Sequence, residues 1–378
     1  MPRFTLATAL VLFVLLGAAR FGQWGASLTA DESYTLNYAF QPVSSIRSAY
    51  DSTNNQVLFS LLLRFMDQAS PKALLFSPAG VRPLQLPSIL ASIAALPLLF
   101  CVASRLFNRP IALLSVAFLG VSAWHLMYSH MLRAYSLSVF FCLLNIWMLQ
   151  QALLEGRKRA LLALPFGLAA ANYLMPTNAY YCAALAPWAA FELYRSRRPR
   201  RPGGAADAHF PLLVGAAFLA GAALTVWLYR PILKDILLPP IDRLTWTDSL
   251  AATGARLENS LLILGAHRPF RWLVLACAAL GAYYLWLSRK RGSGAGMLFL
   301  CTLSFPLIAL TLQRMIAYPR ISIPTLPIWA MLCAAGLYGA LALLRLRRAL
   351  PASAFRPVLL GALGAILLGL IYSGIPLG

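Results

Sequence analysis

The sequence contains few acidic residues. Asp and Glu account for only 11 of 378 residues, and charged residues together make up 11% of the chain. Soluble proteins carry roughly 25% charged residues, which help to cover their surface. Here 60% of the residues are hydrophobic, and the mean hydropathy is +0.71. These proportions exclude an ordinary soluble globule and predict an all-α protein that crosses a membrane many times.

The sequence also lacks the short motifs of several enzyme classes. It contains no P-loop, no GxSxG, no HExxH and no dinucleotide-binding glycine pattern. Its six cysteines lie in apolar runs without CxxC spacing, so they predict neither a disulfide framework nor a metal site. No charged residue lies in the middle of a predicted membrane span, where transporters usually carry one.

Long apolar windows predict about eleven transmembrane helices. They lie near residues 4–21, 85–104, 110–126, 134–154, 160–175, 177–194, 210–228, 270–287, 296–313, 320–343 and 357–376. The first window also resembles a cleaved signal peptide, but a retained helix fits better because the N-terminus then lies inside. In that orientation 18 of the 32 Lys and Arg residues fall in short inner connections, as the positive-inside rule requires. Orientation and anionic lipid therefore explain the net charge of +21 better than nucleic-acid binding does.

Two long segments then face the outside, at 22–84 and 229–269, within a single membrane domain of residues 1–378. The apolar stretch VLFSLLLRFM at 57–66 is too short to cross and contains Arg64, so it predicts an interfacial helix. Eight of the 11 acidic residues lie in the two outer segments. We therefore expect the chemistry at the outer face of the membrane.

The adjacent acids Asp31 and Glu32 follow the first predicted span by about ten residues. One interpretation is a solvated helix start, because the helix dipole favours acids there. The other is a catalytic pair at the membrane surface, where aromatic residues such as Tyr34 anchor helices at headgroup depth. An acid held there could meet a substrate whose tail lies in lipid and whose head lies in water.

Three amide side chains precede the apolar stretch at 57–66. Asn54, Asn55 and Gln56 could cap that helix within a solvated turn. Because a cap needs only one Asn, the cluster equally predicts hydrogen bonds to sugar hydroxyls or to the nearby acids.

A second polar cluster lies at the outer end of the third predicted span, in WHLMYSHMLRAYSL at 124–137. His125 and His130 are not spaced i,i+4 and have no acid nearby, so they do not predict a metal site. Arg133 beside Tyr135 suits an anionic headgroup, although a lone interfacial arginine more often simply extends to the membrane surface.

Several basic residues lie on the outer face, where the positive-inside rule discourages them. They are either headgroup contacts or parts of a phosphate site, for which arginine offers a bidentate fork. Arg320 lies in IAYPRISIPTLPIW, whose three prolines mark the entry to a span and would hold the arginine rigidly. Basic residues of the second outer segment include Lys234, Arg243 and Arg256.

The order of these motifs resembles the membrane-embedded GT-C glycosyltransferases that use lipid-linked sugars, especially the bacterial relatives of protein O-mannosyltransferases and aminoarabinose transferases. The matching stretches in the first 180 residues are ADESYT, NNQVLFSLLLR, VRPLQLPSILASIAALPLLFCVASRLF and YSHMLRAYSL, and a weaker match follows at YPRISIPTLPIW. Each stretch is weak alone, but their order and spacing together are specific. The resemblance implies a bacterial inner-membrane enzyme whose active site faces the periplasm.

By this resemblance Asp31 is the catalytic base and Glu32 is the second acid of the pair. The donor phosphate is held by an arginine near the last spans, which Arg320 fits, and by a cation of an earlier outer loop. Arg133 is a further phosphate contact. The alternatives for the loop cation are Lys234, Arg243 and Arg256. Acceptor or sugar contacts are expected from Asn54, Asn55, Gln56, Tyr34, His130 and Tyr135.

The reaction implied is an inverting transfer of a sugar from a polyprenyl phosphate to a lipid, glycan or protein. No cofactor is expected: related enzymes with pyrophosphate donors use a divalent metal, but no second acidic cluster completes such a site here. A flippase of lipid-linked sugars would also explain many spans and outer cations, but not the acidic pair or the uncharged span interiors. An acyltransferase or ligase is less well supported, because the histidines form no convincing set.

Overall fold

The computed structural model describes residues 2–21, 29–49, 55–69, 78–196, 209–237, 244–262, 268–288, 294–314 and 319–346, together with Gly361 and Gly364. All regular elements in these ranges are helical, so the predicted all-α class is confirmed. The α-helices are α1 (Pro2–Phe21), α2 (Ala30–Ala39), α3 (Val43–Ser48), α4 (Val57–Ala69), α5 (Pro78–Leu106), α6 (Arg109–Gly120), α7 (Ala123–His130), α8 (Tyr135–Leu153), α9 (Ala160–Leu174), α10 (Asn178–Ser196), α11 (Phe210–Tyr229), α12 (Leu233–Leu237), α13 (Trp246–Leu262), α14 (Arg268–Ser288), α15 (Ala295–Leu312) and α16 (Leu326–Leu346). Two 3-10 segments, Arg230–Ile232 and Pro319–Thr325, precede α12 and α16.

Ten of the eleven predicted spans coincide with helices, and the eleventh, 357–376, lies outside the described residues. By length and apolar composition, five helices of the described part qualify as spans, or six if one bent pair is counted as a single span. The predicted count of eleven is therefore not confirmed. Part of the shortfall comes from short helices such as α9, whose 15 residues extend about 22 Å, whereas a hydrocarbon core is about 30 Å thick.

The third predicted span, 110–126, is broken rather than continuous. α6 and α7 meet at an angle of 60° between Gly120 and Ala123. The guanidinium of the buried Arg20 fills the break: its Nη2 donates to the main-chain oxygen of Gly120 at 3.3 Å and lies 2.7 Å from His125 Nδ1. A distant side chain thus satisfies a carbonyl group that the interrupted helix leaves without an intrahelical partner.

Close contact between α14 and α16 depends on two glycines, one from each helix. α14 packs against α16, where a methyl group at Gly281 would overlap the main-chain oxygen of Leu332 and one at Gly336 would overlap that of Cys277. Small residues at these positions let the two backbones approach, which is how helices associate without a hydrophobic driving force in lipid.

The first predicted outer segment contains the short helices α2, α3 and α4. α4 was expected to lie on the membrane surface. In the structure it packs on α2, α5 and α9 and buries Phe59 and Leu63 completely, while Phe65 on its other face is 70% exposed. α4 therefore closes one end of the helical bundle and places the preceding residues, Asn55 and Gln56, inside.

The opposite ends of the helices carry a separate set of contacts. Arg105, in the last turn of α5, donates a 2.5 Å hydrogen bond from Nε to Glu155 Oε1, and this bond lowers the pKa of the Glu155 carboxyl. Arg105 is 17 residues from Ser88 along α5, which corresponds to about 26 Å. The cluster around Ser88 described below is thus well separated from this ion pair.

Candidate active site

The start of α2 fixes the position of the acid pair. Thr29 is the N-cap: its hydroxyl accepts from the main-chain N–H of Glu32 at 3.4 Å, and Glu32 Oε2 accepts from the main-chain N–H of Thr29 at 2.8 Å. This reciprocal capping box follows from Thr at the N-cap with Glu three residues later. Asp31 and Glu32 therefore lie in the first turn, about 100° apart around the helix, and meet different surroundings.

Asp31 faces two arginine side chains. Its Oδ2 accepts a 2.7 Å hydrogen bond from Arg320 Nη1 and lies 3.8 Å from Arg133 Nη2. Arg133 Nη1 also approaches the main-chain oxygen of Asp31 at 3.3 Å and Thr35 Oγ1 at 3.4 Å. Asp31 Oδ1 accepts no hydrogen bond from the described residues, and the side chain is 38% exposed. One carboxylate oxygen thus engages the arginines while the other remains accessible.

The 3-10 segment Pro319–Thr325 carries Arg320 to this position. Its two prolines, Pro319 and Pro324, restrict the backbone around the arginine. Tyr181 of α10 donates from its hydroxyl to the main-chain oxygen of Ile321 at 2.9 Å, which fixes the segment to the helical bundle. The Arg320 side chain itself is 32% exposed, so an anchored backbone presents a guanidinium that a ligand can reach.

Arg133 lies in the short connection between α7 and α8, and its main chain is held from three sides. Glu32 Oε1 accepts from the main-chain N–H of Leu132 at 2.8 Å, and Gln56 Oε1 accepts from that of Ala134 at 2.6 Å. Ser88 of α5 donates from its hydroxyl to the main-chain oxygen of Arg133 at 3.2 Å. Glu32 therefore turns away from the two arginines and toward the connection.

Two tyrosines complete the wall beside Arg133. The rings of Tyr128 and Tyr135 lie 4.3 Å apart, and the guanidinium carbon of Arg133 is 5.6 Å from the centre of the Tyr135 ring. The Tyr128 ring also stacks on Trp124, with ring centres 5.9 Å apart. Tyr128 was not among the predicted site residues; its position in the same turn as His130 and Arg133 was the signal available in the sequence.

Two residues of the predicted amide cluster, Asn55 and Gln56, are buried and hydrogen-bonded within the protein. Asn55 is buried, its side-chain nitrogen donates to the main-chain oxygens of Ile46 at 2.9 Å and Ala49 at 2.5 Å, and its oxygen accepts from Ser60. Gln56 is also buried and bonded to Ala134. Both amides were expected to contact a sugar, and in the structure both form hydrogen bonds within the protein. Asn54 lies outside the described residues.

The other predicted contacts are more dispersed. Tyr34 is 57% exposed, and His130 is partly buried. Arg256 is buried and ties α13 to α15, donating to the main-chain oxygen of Ser249 at 2.6 Å and to Thr311 Oγ1 at 3.2 Å. Lys234 is exposed on α12, and Arg243 lies outside the described residues. Of the predicted donor contacts, the structure brings Arg133 and Arg320 to Asp31.

Among the described residues, the side chains around Asp31 do not supply a set of oxygen ligands for a divalent cation. Ca²⁺ takes six to eight oxygen ligands, and Mg²⁺ takes six in octahedral geometry, usually one or two carboxylates together with waters and substrate phosphates. Asp31 lies between two guanidinium groups, and both oxygens of Glu32 accept hydrogen bonds from N–H or O–H donors. Within the described ranges, no three His, Cys, Asp or Glu side chains form a group that could hold a metal.

An apolar recess lies beneath the segment that carries Arg320. It extends between α8, α10, α15 and α16 and has a volume of about 20 Å³. Its lining residues are Cys142, Ile146, Tyr181, Cys182, Leu185, Thr302, Pro324 and Ile328. Tyr181 and Pro324 belong both to this lining and to the structure around Arg320, so the polar cluster and the apolar recess adjoin.

Two comparisons with known proteins, one by sequence family and one by structure, found similarities to this chain. A family described as dolichyl-phosphate-mannose-protein mannosyltransferase matches residues 72–228. Two solved structures of the Archaeoglobus fulgidus oligosaccharyltransferase, one tethered to an acceptor peptide containing the NVT sequon and one in the apo form, are similar to 97% of this chain, each with a TM-score of 0.54. The fold is like that of the GT-C glycosyltransferases. The predicted resemblance to that class is thereby confirmed.

The GT-C likeness is one of fold rather than of close sequence. Identity to the two oligosaccharyltransferase structures is 11% and 10%, and the chain spans about half of their length, 54% and 55%. A search among curated proteins gives no match. The family match covers Arg133 but neither Asp31 nor Arg320. The family match covers less than half of the chain, and at this level of identity the structural similarity shows a shared fold.

Proposed function

We propose that this protein transfers a sugar from a polyprenyl-phosphate donor to an acceptor at the outer face of a bacterial cytoplasmic membrane. The observation that carries the proposal is the arrangement of one partly exposed carboxylate, Asp31, between Arg133 and Arg320 beside an apolar recess. This combination suits a substrate with a lipid tail, a phosphate and a reacting sugar.

The arginines suit the phosphate of the donor. A guanidinium has five N–H donors in a fixed fork, so it can contact a carboxylate and a phosphate together. Arg320 is the more accessible of the two, whereas Arg133 is buried against the Tyr135 ring. When the bond between the sugar and the phosphate breaks, negative charge grows on the phosphate, and arginines already in place stabilise it.

Asp31 suits the role of general base. The acceptor oxygen or nitrogen forms a bond to the anomeric carbon, and the carbon–oxygen bond to phosphate breaks with its electron pair moving to the phosphate. The acceptor proton goes to Asp31 Oδ1, the oxygen that the arginines leave accessible. A phosphate is a weakly basic leaving group, so no general acid is required. Direct displacement through an oxocarbenium-like transition state inverts the anomeric configuration.

The apolar side chains that line the recess suit contact with the first part of the prenyl chain, whereas the recess itself, at about 20 Å³, is too small to enclose that chain. Its lining is mostly hydrophobic, and Pro324 and Ile328 follow Arg320 in sequence by one and two helical turns. A phosphate at Arg320 would therefore have apolar surface directly below it. The orientation with Asp31 outside rests on the 18 basic residues of the short inner connections.

The test is sugar transfer by the purified protein in detergent. A panel of radiolabelled polyprenyl-phosphate sugars, beginning with mannose, is incubated with membrane extract as the source of acceptor. We expect release of polyprenyl phosphate together with a labelled product of inverted anomeric configuration. A flippase of lipid-linked sugars would give neither product, because its activity requires two compartments. Retention of configuration would contradict the direct displacement.

A further inference from the structure

We infer that Glu32, Gln56 and Ser88 are positioning residues that act through Arg133. Together they form a clamp on the main chain of residues 132–134. The inference rests on the proposed function, since it assigns these residues to the same site. It gives Glu32 and Gln56 roles that differ from the catalytic and sugar-binding roles predicted from the sequence.

The first side of the clamp is a carboxylate that binds main-chain groups. Glu32 is 2% exposed, and its Oε1 accepts the N–H of Leu132 at 2.8 Å. Its Oε2 accepts from the N–H and the hydroxyl of Thr29, at 2.8 and 2.9 Å. Hydrogen bonds to an ionised acceptor are roughly twice as strong as those between neutral groups. One side chain therefore joins the start of α2, which carries Asp31, to the residue before Arg133.

The second and third sides come from Gln56 and Ser88. Gln56, just before α4, accepts the N–H of Ala134 at 2.6 Å, and Ser88 of α5 donates to the oxygen of Arg133 at 3.2 Å. All three side chains are at least 97% buried. The main-chain groups on both sides of Arg133 are thus fixed by elements that are distant in sequence.

Such a clamp matters because Arg133 must reach Asp31 from a connection without regular structure. Ordering an arginine side chain costs conformational entropy, and displacement of a reacting group by about 1 Å can cost a factor of about 100 in rate. A fixed main chain lets the Arg133 guanidinium meet Asp31 and Thr35 without a search among alternatives. Loss of the Gln56 or Ser88 contact should therefore lower the rate through Arg133, whereas loss of Glu32 would also disturb the start of α2, which carries Asp31.

The experiment is a double-mutant cycle on the full-length protein. Gln56→Leu removes the acceptor for Ala134 while keeping a similar volume, and it is measured in the wild-type and Arg133→Gln backgrounds under single-turnover conditions. We expect transfer to fall about 10- to 30-fold in the wild type but less than about 3-fold when Arg133 is already replaced, because coupled positions are not additive. Gln56→Glu, which retains an acceptor oxygen, should recover most of the rate.

Two further variants keep the test decisive. Gln150→Leu is the control, because buried Gln150 donates to the main-chain oxygen of Val102 at the opposite ends of the helices and should change stability but not transfer. Ser88→Ala removes one hydroxyl and should show the same coupling to Arg133 even if Gln56→Leu fails to fold. Equal fold-losses in both backgrounds would overturn the clamp while leaving the proposed function intact. Absence of transfer by the wild type would overturn both.

Discussion

Arg320 donates a 2.7 Å hydrogen bond to Asp31 across 289 positions of sequence. The two residues come from opposite ends of the chain, one from the first helical turn after α1 and the other from the segment that leads into α16. The proposed transfer from a lipid phosphate needs a base and a cation within reach of one anomeric carbon, and this ion pair would supply both.

Replacement of Arg320 should lower the rate of sugar transfer. Arg320→Gln removes the charge that opposes the departing phosphate, so we expect kcat to fall by about 100-fold or more, and Arg320→Lys by less, because lysine keeps the charge but loses the fork. Arg105→Gln is the matched control, since it breaks an ion pair with Glu155 at the opposite helix ends. Equal losses in Arg320→Gln and Arg105→Gln would show that Arg320 acts only on stability.

Tyr181 should influence transfer through the segment that carries Arg320. Tyr181→Phe deletes the hydroxyl that bonds to Ile321, which should cost about 0.5–1.5 kcal/mol of stability and lower the transfer rate several-fold as Arg320 loses its fixed position. Tyr229→Phe removes a comparable buried hydroxyl, bonded to the main-chain oxygen of Asn172 at 2.6 Å. Thermal unfolding should fall in both variants, and the initial rate only in the first; unchanged turnover in Tyr181→Phe would reject this role.

Helix packing should be sensitive at Gly336 and insensitive at Gly215. Gly336→Ala places a methyl group against the main-chain oxygen of Cys277, so we expect a loss of about 1–3 kcal/mol in the free energy of unfolding. Gly215 in α11 has open space around it, and Gly215→Ala should be neutral or stabilising by up to about 1 kcal/mol. Thermal unfolding in detergent measures both, and similar melting temperatures for the two variants would contradict the close approach of α14 and α16.

Chelation should leave transfer unchanged. The oxygens of Glu32 are committed to hydrogen bonds and Asp31 lies against arginines, so the described residues do not form a site for a hard cation. We expect the same initial rate before and after treatment with EDTA. Activity that disappears on chelation and returns with one divalent ion would require ligands beyond this cluster.

Much of the candidate site could be predicted because charges are scarce. The chain has only 11 acidic residues, so an acid pair beside the membrane can be identified as a candidate site from the sequence. The same holds for an arginine that lies among prolines. Their roles came from the resemblance to GT-C enzymes. The sequence contains no local signal that Asp31 meets Arg320, because that contact depends on how the helices pack.

The remaining assignments depend on directions that a sequence does not specify. Adjacent residues on a helix point about 100° apart, so the acid pair divides, with Asp31 toward the arginines and Glu32 toward Leu132. Whether Gln56 caps a helix, binds a sugar or holds a main chain depends on its burial, which only the packing of α4 determines. The break after Gly120 is likewise supported by Arg20, 100 residues earlier.

The most direct test of the central claim is single-turnover transfer by the Asp31→Asn variant alongside its affinity for the donor. Asparagine has nearly the same shape but cannot take the acceptor proton, so we predict that transfer falls by at least about 100-fold, since general base catalysis contributes about 100- to 10,000-fold. Binding of polyprenyl-phosphate sugar should change by less than about 3-fold, because the arginines that hold the phosphate remain. Near wild-type transfer by Asp31→Asn would remove this carboxylate from the mechanism.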